Sequence, residues 1–177
     1  MQFDLDLGVD ILRRTPYILR AWLEDLPYAW VYSNEGGETW SPFDVVGHLI
    51  HGERTDWIPR LKLILANDRI REFEPFDRFA QFEGNRCRSL EELLRTFEEL
   101  RRSNLAVLET LDLKPSDFAR EGRHPELGVV TLEQLLSAWV VHDLDHLGQI
   151  AGVMARQYQE AAGPWGAYMD ILGSTPQ

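Results

Sequence analysis

The chain has 177 residues, enough for one substantial core and too few for two large domains, and its 44% apolar and 27% charged residues mark an ordinary globular composition. Acidic residues outnumber basic ones 29 to 18 for a net charge of −11, and the arginines are scattered, so nucleic acid and anionic membrane surfaces are excluded as expected partners. The single cysteine, Cys87, the absence of a signal-like start and the absence of any ~18–20-residue apolar run point to a reducing, cytoplasmic setting.

Helical period dominates the chain. Segment 5–25 places Leu5, Val9, Leu12, Leu19 and Leu23 on one side, with Pro16 predicting a kink or boundary. Segment 42–67 opens with Ser41 as N-cap, Pro42 in the first helical position and Asp44 completing a capping box. Its buried side is Val45, Val46, Leu49, Trp57, Leu61, Ile64 and Leu65, and Pro59 predicts a kink within it. The stretch 69–88 is charged and aromatic (Phe73, Phe76, Phe79, Phe82) and is expected to fold over one end of the molecule.

Segment 90–111 carries a stripe of Leu90, Leu93, Leu94, Phe97, Leu100, Leu108 and Leu111 behind a second capping box, Ser89 with Glu92. Lys114-Pro115 stops it. The stretch 115–130 reads as a structured loop with a small extended piece at Gly128-Val129-Val130. Segment 131–158 starts at a third box, Thr131 with Gln134, and a short last helix is expected over 165–172. Four long helices joined by two long connections predict an all-α protein, a single-domain four-helix bundle over 1–177 with a short C-terminal helix.

Chemistry is concentrated in the histidines. His142 and His146 are four apart, so both project from one face of the last long helix. The stripe there runs Leu132, Leu135, Trp139, His142, His146, Gln149/Ile150, Val153, so the two imidazoles replace apolar residues on the inward face. Two buried imidazoles are costly unless satisfied, and a shared cation satisfies them well. Satisfied core histidines are the alternative. His48, beside Leu49 on the buried side of the second long helix, supplies a third donor, and three histidines leave coordination positions open. Gly52 would leave space beside the metal.

Other polar residues take supporting roles in this reading. Gln149, three after His146, can hydrogen-bond a ligand or a bound water; Asp143 and Asp145 flank the pair and can orient an imidazole N–H. Asp145 ranks first as a general base. His51, at the edge of the His48 face, is a supporting or exposed residue, with metal ligand as the alternative. Glu53 and Asp56 read as solvated helix carboxylates, His124 as structural or solvent-facing, and a catalytic role for Cys87 is not expected.

The runs Trp40-Ser-Pro-Phe-Asp-Val-Val-Gly-His48-Leu, His124-Pro-Glu-Leu-Gly-Val-Val-Thr-Leu-Glu-Gln-Leu-Leu and Trp139-Val-Val-His142-Asp-Leu-Asp-His146-Leu-Gly-Gln-Ile resemble the DinB-like (DinB/YfiT) superfamily of metal-binding four-helix bundles. The resemblance covers nearly the whole chain. It implies that His48, His142 and His146 hold a divalent cation, zinc or nickel. It further implies either transfer of a low-molecular-weight thiol to an electrophile, hydrolysis at the same site, or a non-enzymatic metal-binding role in stress response. Members often dimerise, so a homodimer is also expected.

Overall fold

The computed structural model describes residues 2–66, 69–77, 79–85 and 87–173. The long helices are α1 (Leu5–Leu23), α3 (Pro42–Thr55) continued by α4 (Trp57–Leu65), α6 (Leu90–Thr110) and α7 (Leu132–Arg156). Between them lie α2 (Tyr28–Tyr32) and α5 (Ala80–Asn85), and after α7 come α8 (Gln159–Ala162), a 3₁₀ turn over Gly163–Tyr168 and α9 (Asp170–Gly173). Helix α1 packs on α6 and α7, and α3 packs on the same two, so α1 lies diagonal to α3 and α6 diagonal to α7, while the consecutive helices α3 and α6 are neighbours. This is a four-helix bundle. No helix among the described residues is long and apolar enough to cross a membrane.

The three capping boxes form as the sequence predicts. Ser41, Ser89 and Thr131 each accept from the backbone N–H three residues on, while Asp44, Glu92 and Gln134 reach back to the cap. Proline has two different outcomes. Pro16 leaves α1 unbroken: the Leu12 carbonyl, which loses its i+4 donor at Pro16, accepts instead from Arg101 Nη1 at 2.7 Å. Pro59 lies in the first turn of α4, and the chain breaks before it, at Asp56, where it cannot serve the Thr55 carbonyl. The expected single kinked helix is therefore two helices, and its last expected position, Asn67, lies outside the described residues.

The 115–130 loop contains an antiparallel hairpin, β1 (Glu121–His124) with β2 (Gly128–Thr131), which runs directly into α7. The 69–77 stretch joins it through Phe73 N–H to the Arg123 carbonyl and Arg123 N–H to the Arg71 carbonyl, both 2.8 Å. Of the 69–88 connection, Arg78 and Arg86 lie outside the described residues; the rest includes α5, which the sequence reading missed. Helix α5 faces the bundle with polar residues: Gln81 and Asn85 are buried, whereas Phe79 and Phe82 are exposed. It packs so closely on α3 that a Cβ at Gly47 would lie 2.4 Å from Asn85 Nδ2. The expected last helix is the 3₁₀ turn plus the single turn of α9, because Gly163-Pro164 and Gly166 shorten it.

The apolar core has two parts. One holds Leu12, Trp57, Leu61, Leu108, Leu132 and Trp139; the other holds Leu19, Leu23, Val45, Leu49, Leu93, Phe97 and Ile150. On α7 the polar residues Asp143 and His146 fall between Trp139 and Ile150, and on α6 Arg101 falls between Phe97 and Leu108. A polar layer thus crosses the bundle between the two apolar clusters.

Candidate metal centre

Helix α7 positions two of the donors because its capped start sets the rotation of all 25 residues. Trp139 is fully buried, as expected from its place on the stripe, and the next turns carry His142 and His146 inward. Helix α3 supplies His48, which is 7% exposed, on the face between Val45 and Leu49. The His142 Nε2 atom lies 3.1 Å from His48 Nε2 and 3.1 Å from His146 Nε2. Ligand atoms of the three residues all fall within 4.8 Å of one another, and this is the group of this kind found among the described residues.

That spacing fits a cation. Donors at ~2.0–2.1 Å from one ion, at tetrahedral or octahedral angles, stand roughly 2.9–3.4 Å apart. Hydrogen bonding among the imidazoles is a poorer solution, since each Nε2 offers one proton or one lone pair and all three converge. The tautomer of His146 points the same way. Its Nδ1 lies 2.7 Å from Gln149 Oε1, an acceptor, so Nδ1 carries the proton and Nε2 presents its lone pair to the cluster. Burial lowers the pKa of His146; burial, then the charge of its His146 and His48 neighbours, pushes His142 down to about 2. Both are therefore neutral, as ligands must be. His142 Nδ1 is buried without a hydrogen-bond partner.

Aromatic rings collar the histidines. Trp40 packs on His48 at 4.8 Å and stacks with His146 at 6.4 Å; Phe76 meets His48 edge-on at 5.4 Å; Trp57 meets His142 edge-on at 5.1 Å and stacks on Trp139. One side stays open. A cavity of about 1100 Å³ reaches His48, His142 and His146, walled by Trp40, Phe76, Phe79 and Leu144 and by the polar residues Glu35, Glu38, Asp145, Gln149 and Arg156.

A model of the DinB superfamily matches residues 11–150. The chain belongs to the DinB superfamily. Among solved structures, this DinB-superfamily chain is similar to YfiT from Bacillus subtilis, at 25% identity and a TM-score of 0.74, over 86% of this chain and 87% of that one. YfiT is described as a probable metal-dependent hydrolase with an unusual four-helix bundle topology. No curated protein matches.

Several sequence expectations need correction within this DinB bundle. His51 stands outside the cluster: its half-buried ring packs on Phe76 at 4.8 Å, and burial lowers its pKa. Asp143 does not orient an imidazole, because it is fully buried and faces Arg101. Asp145 is exposed on the cavity wall, and Gln149 takes the His146 N–H that it was expected to hold. Gly52 makes room for Trp57, whose Nε1 would lie 3.3 Å from a Cβ there, rather than for a metal. Glu53 is 2% exposed and Asp56 9%, so neither is a solvated carboxylate; burial raises the Asp56 pKa against the opposing pull of Arg60. His124 closes the hairpin turn, with Nδ1 accepting from the N–H groups of Glu126 and Leu127. Cys87 is exposed.

What sequence reasoning missed lies behind the histidines. Arg101 is 1% exposed and spends all five N–H groups: Nε and Nη2 on Glu53 Oε1, Nη1 and Nη2 on Asp143, and Nη1 also on the Leu12 carbonyl. Trp139 Nε1 donates to Glu53 Oε1 at 2.9 Å, and Asn104 Nδ2 donates to Glu53 Oε2 at 2.9 Å. One guanidinium thus ties α1, α3, α6 and α7 together. The signal was present: counting inward positions from Leu94 and Phe97 to Leu108 passes through Arg101 and Asn104.

Proposed function

We propose that this chain is a metal-dependent enzyme that transfers a low-molecular-weight thiol to a small electrophile at the three-histidine centre. The observation that supports this most is the convergence of three imidazole nitrogens on the wall of an open cavity. A structural cation is closed off by four protein ligands, whereas a catalytic one keeps a position free. When bound there, zinc or nickel would lower the pKa of a thiol or water and supply the nucleophile at neutral pH.

The chain's own residues do the rest. His48, His142 and His146 hold the cation; Gln149 fixes the proton of His146 on Nδ1, so that Nε2 is free. Trp40, Trp57 and Phe76 keep water from the flanks of the cluster. Asp145, on the cavity wall, is the carboxylate available to accept a proton from the incoming nucleophile.

Hydrolysis is the second reading, and the similarity to YfiT favours it. Incubating the zinc- or nickel-loaded protein with a chloroarene and an activated ester, each with and without thiols, separates the two. Turnover that needs both thiol and metal and vanishes in His142→Ala supports transfer. Metal-dependent turnover with water alone assigns hydrolysis, and inactivity on every electrophile leaves neither standing.

A further inference from the structure

Among the described residues Arg156 is the cation of the cavity wall, and its placement is specific. It sits at the end of α7, ten residues beyond His146, yet its side chain folds back along the helix. A Cβ at Gly152 would lie 2.9 Å from Arg156 Nη1, so the missing side chain of Gly152 is the cradle in which the guanidinium lies. Glycine within a helix is unfavourable relative to alanine, and here it leaves the space that the guanidinium fills. Position 152 is six residues past His146, so the guanidinium is held roughly 9 Å along the helix axis beyond His146.

Its partner is a carboxylate from elsewhere in the chain. Glu35 Oε1 accepts from Arg156 Nη1 at 2.7 Å. Glu35 belongs to an exposed turn in which Gly36 and Gly37 have φ of 93° and 60°. The two side chains are each 31% exposed, and ion pairs that water reaches are weak, so another carboxylate can displace Glu35 at little cost. Glu38 and Asp145 also line the cavity and set up a field against anions. A divalent cation at the histidines together with Arg156 offsets that field, and the fork geometry of the guanidinium then decides which group it binds.

We propose that Arg156 is the anion-recognition residue of the cavity, binding a substrate carboxylate in the place that Glu35 holds. The substrate class is a small molecule that carries a carboxylate at the end remote from the atom that meets the metal centre. This rests on the reading of the cavity as the substrate site of that centre.

Calorimetric titration of the zinc-loaded protein with four chain-matched probes tests it: 6-mercaptohexanoate, 6-mercaptohexanol, 6-aminohexanethiol and hexanoate. The carboxylate thiol should bind at least tenfold more tightly than the alcohol, and the amine most weakly. Arg156→Gln should erase that preference without changing zinc content or affinity for the alcohol. Gly152→Ala keeps the charge and favours the helix, yet it should also lose the preference by displacing the guanidinium. Glu35→Gln should tighten carboxylate binding several-fold. Equal or better binding of the amine, indifference of the carboxylates to Arg156→Gln, or no binding of either carboxylate overturns the proposal. If hexanoate binds through Arg156 and the thiol adds nothing, the anion site stands and thiol transfer fails. If the alcohol binds and the carboxylate gains nothing, the reverse holds.

Discussion

Two polar clusters share the middle of the bundle: Arg101 with Glu53 and Asp143, and the three histidines next to them on α3 and α7. In the first, each N–H of the guanidinium and each carboxylate oxygen meets a protein partner, and the group is sealed on every side. In the second, three imidazole nitrogens converge on one another beside an open cavity. Both pay desolvation, but the first is closed by charges of the chain itself, whereas the second faces the cavity. The difference teaches what each is for. A closed ion cluster sets the register of four helices, and an incomplete one leaves room for a ligand from outside.

The largest expected effect breaks the closed cluster. Arg101→Met strands two buried carboxylates and should cost about 3–5 kcal/mol in urea unfolding, a large share of the roughly 5–15 kcal/mol that holds a typical protein folded. Replacing all three charged residues together by Met, Gln and Asn should restore a large part of that loss. If Arg101→Met alone is neutral, the cluster does not hold the bundle.

Opening the other cluster should behave differently. His142→Ala should fold and lose its metal, while His51→Ala keeps it, as read by metal analysis after gel filtration. At a free cation concentration about 100-fold above Kd, binding stabilises the wild type by roughly 2.7 kcal/mol, so a chelator should lower its Tm and leave that of His142→Ala unchanged. Full metal retention in His142→Ala would remove the site.

Acid should weaken the metal-free protein through the histidines. His142 is held near 2 in the folded state against 6.5 for the free side chain, so the unfolded chain binds more protons in between. Stability is complete above about pH 6.5 and is lost as pH falls from there towards 2, with a loss of about 2 kcal/mol from His142 at pH 5. Urea unfolding of chelated wild type and His142→Ala across pH 5–7 compares them; parallel pH profiles would mean that His142 titrates freely. The smallest effect is on the supporting contact: Gln149→Leu should weaken metal binding roughly tenfold without unfolding the chain, because His146 loses the acceptor that fixes its tautomer. Unchanged affinity would detach Gln149 from the site.

Local physics was legible in the chain. Capping boxes, the 3.6-residue stripes and the stop at Lys114-Pro115 depend on residues within a turn or two of one another, so the long helices and the inward aim of His142 and His146 followed from spacing. His48, on the buried side of the second long helix, followed from the same kind of spacing, and the DinB resemblance matched all three histidines. What spacing cannot carry is the identity of a partner far along the chain. Glu53 read as a solvated helix carboxylate and Asp143 as a group that orients an imidazole until Arg101 arrives from α6, 48 and 42 residues away. Pro16 read as a kink until the same guanidinium took the carbonyl it frees. The break at Asp56, the turn of α5 and the fold-back of Arg156 over Gly152 were likewise decided by packing between elements. Helix geometry is set by neighbours in sequence, whereas the satisfaction of a buried charge is set by whichever atoms the bundle brings beside it, and only the tertiary structure names those atoms.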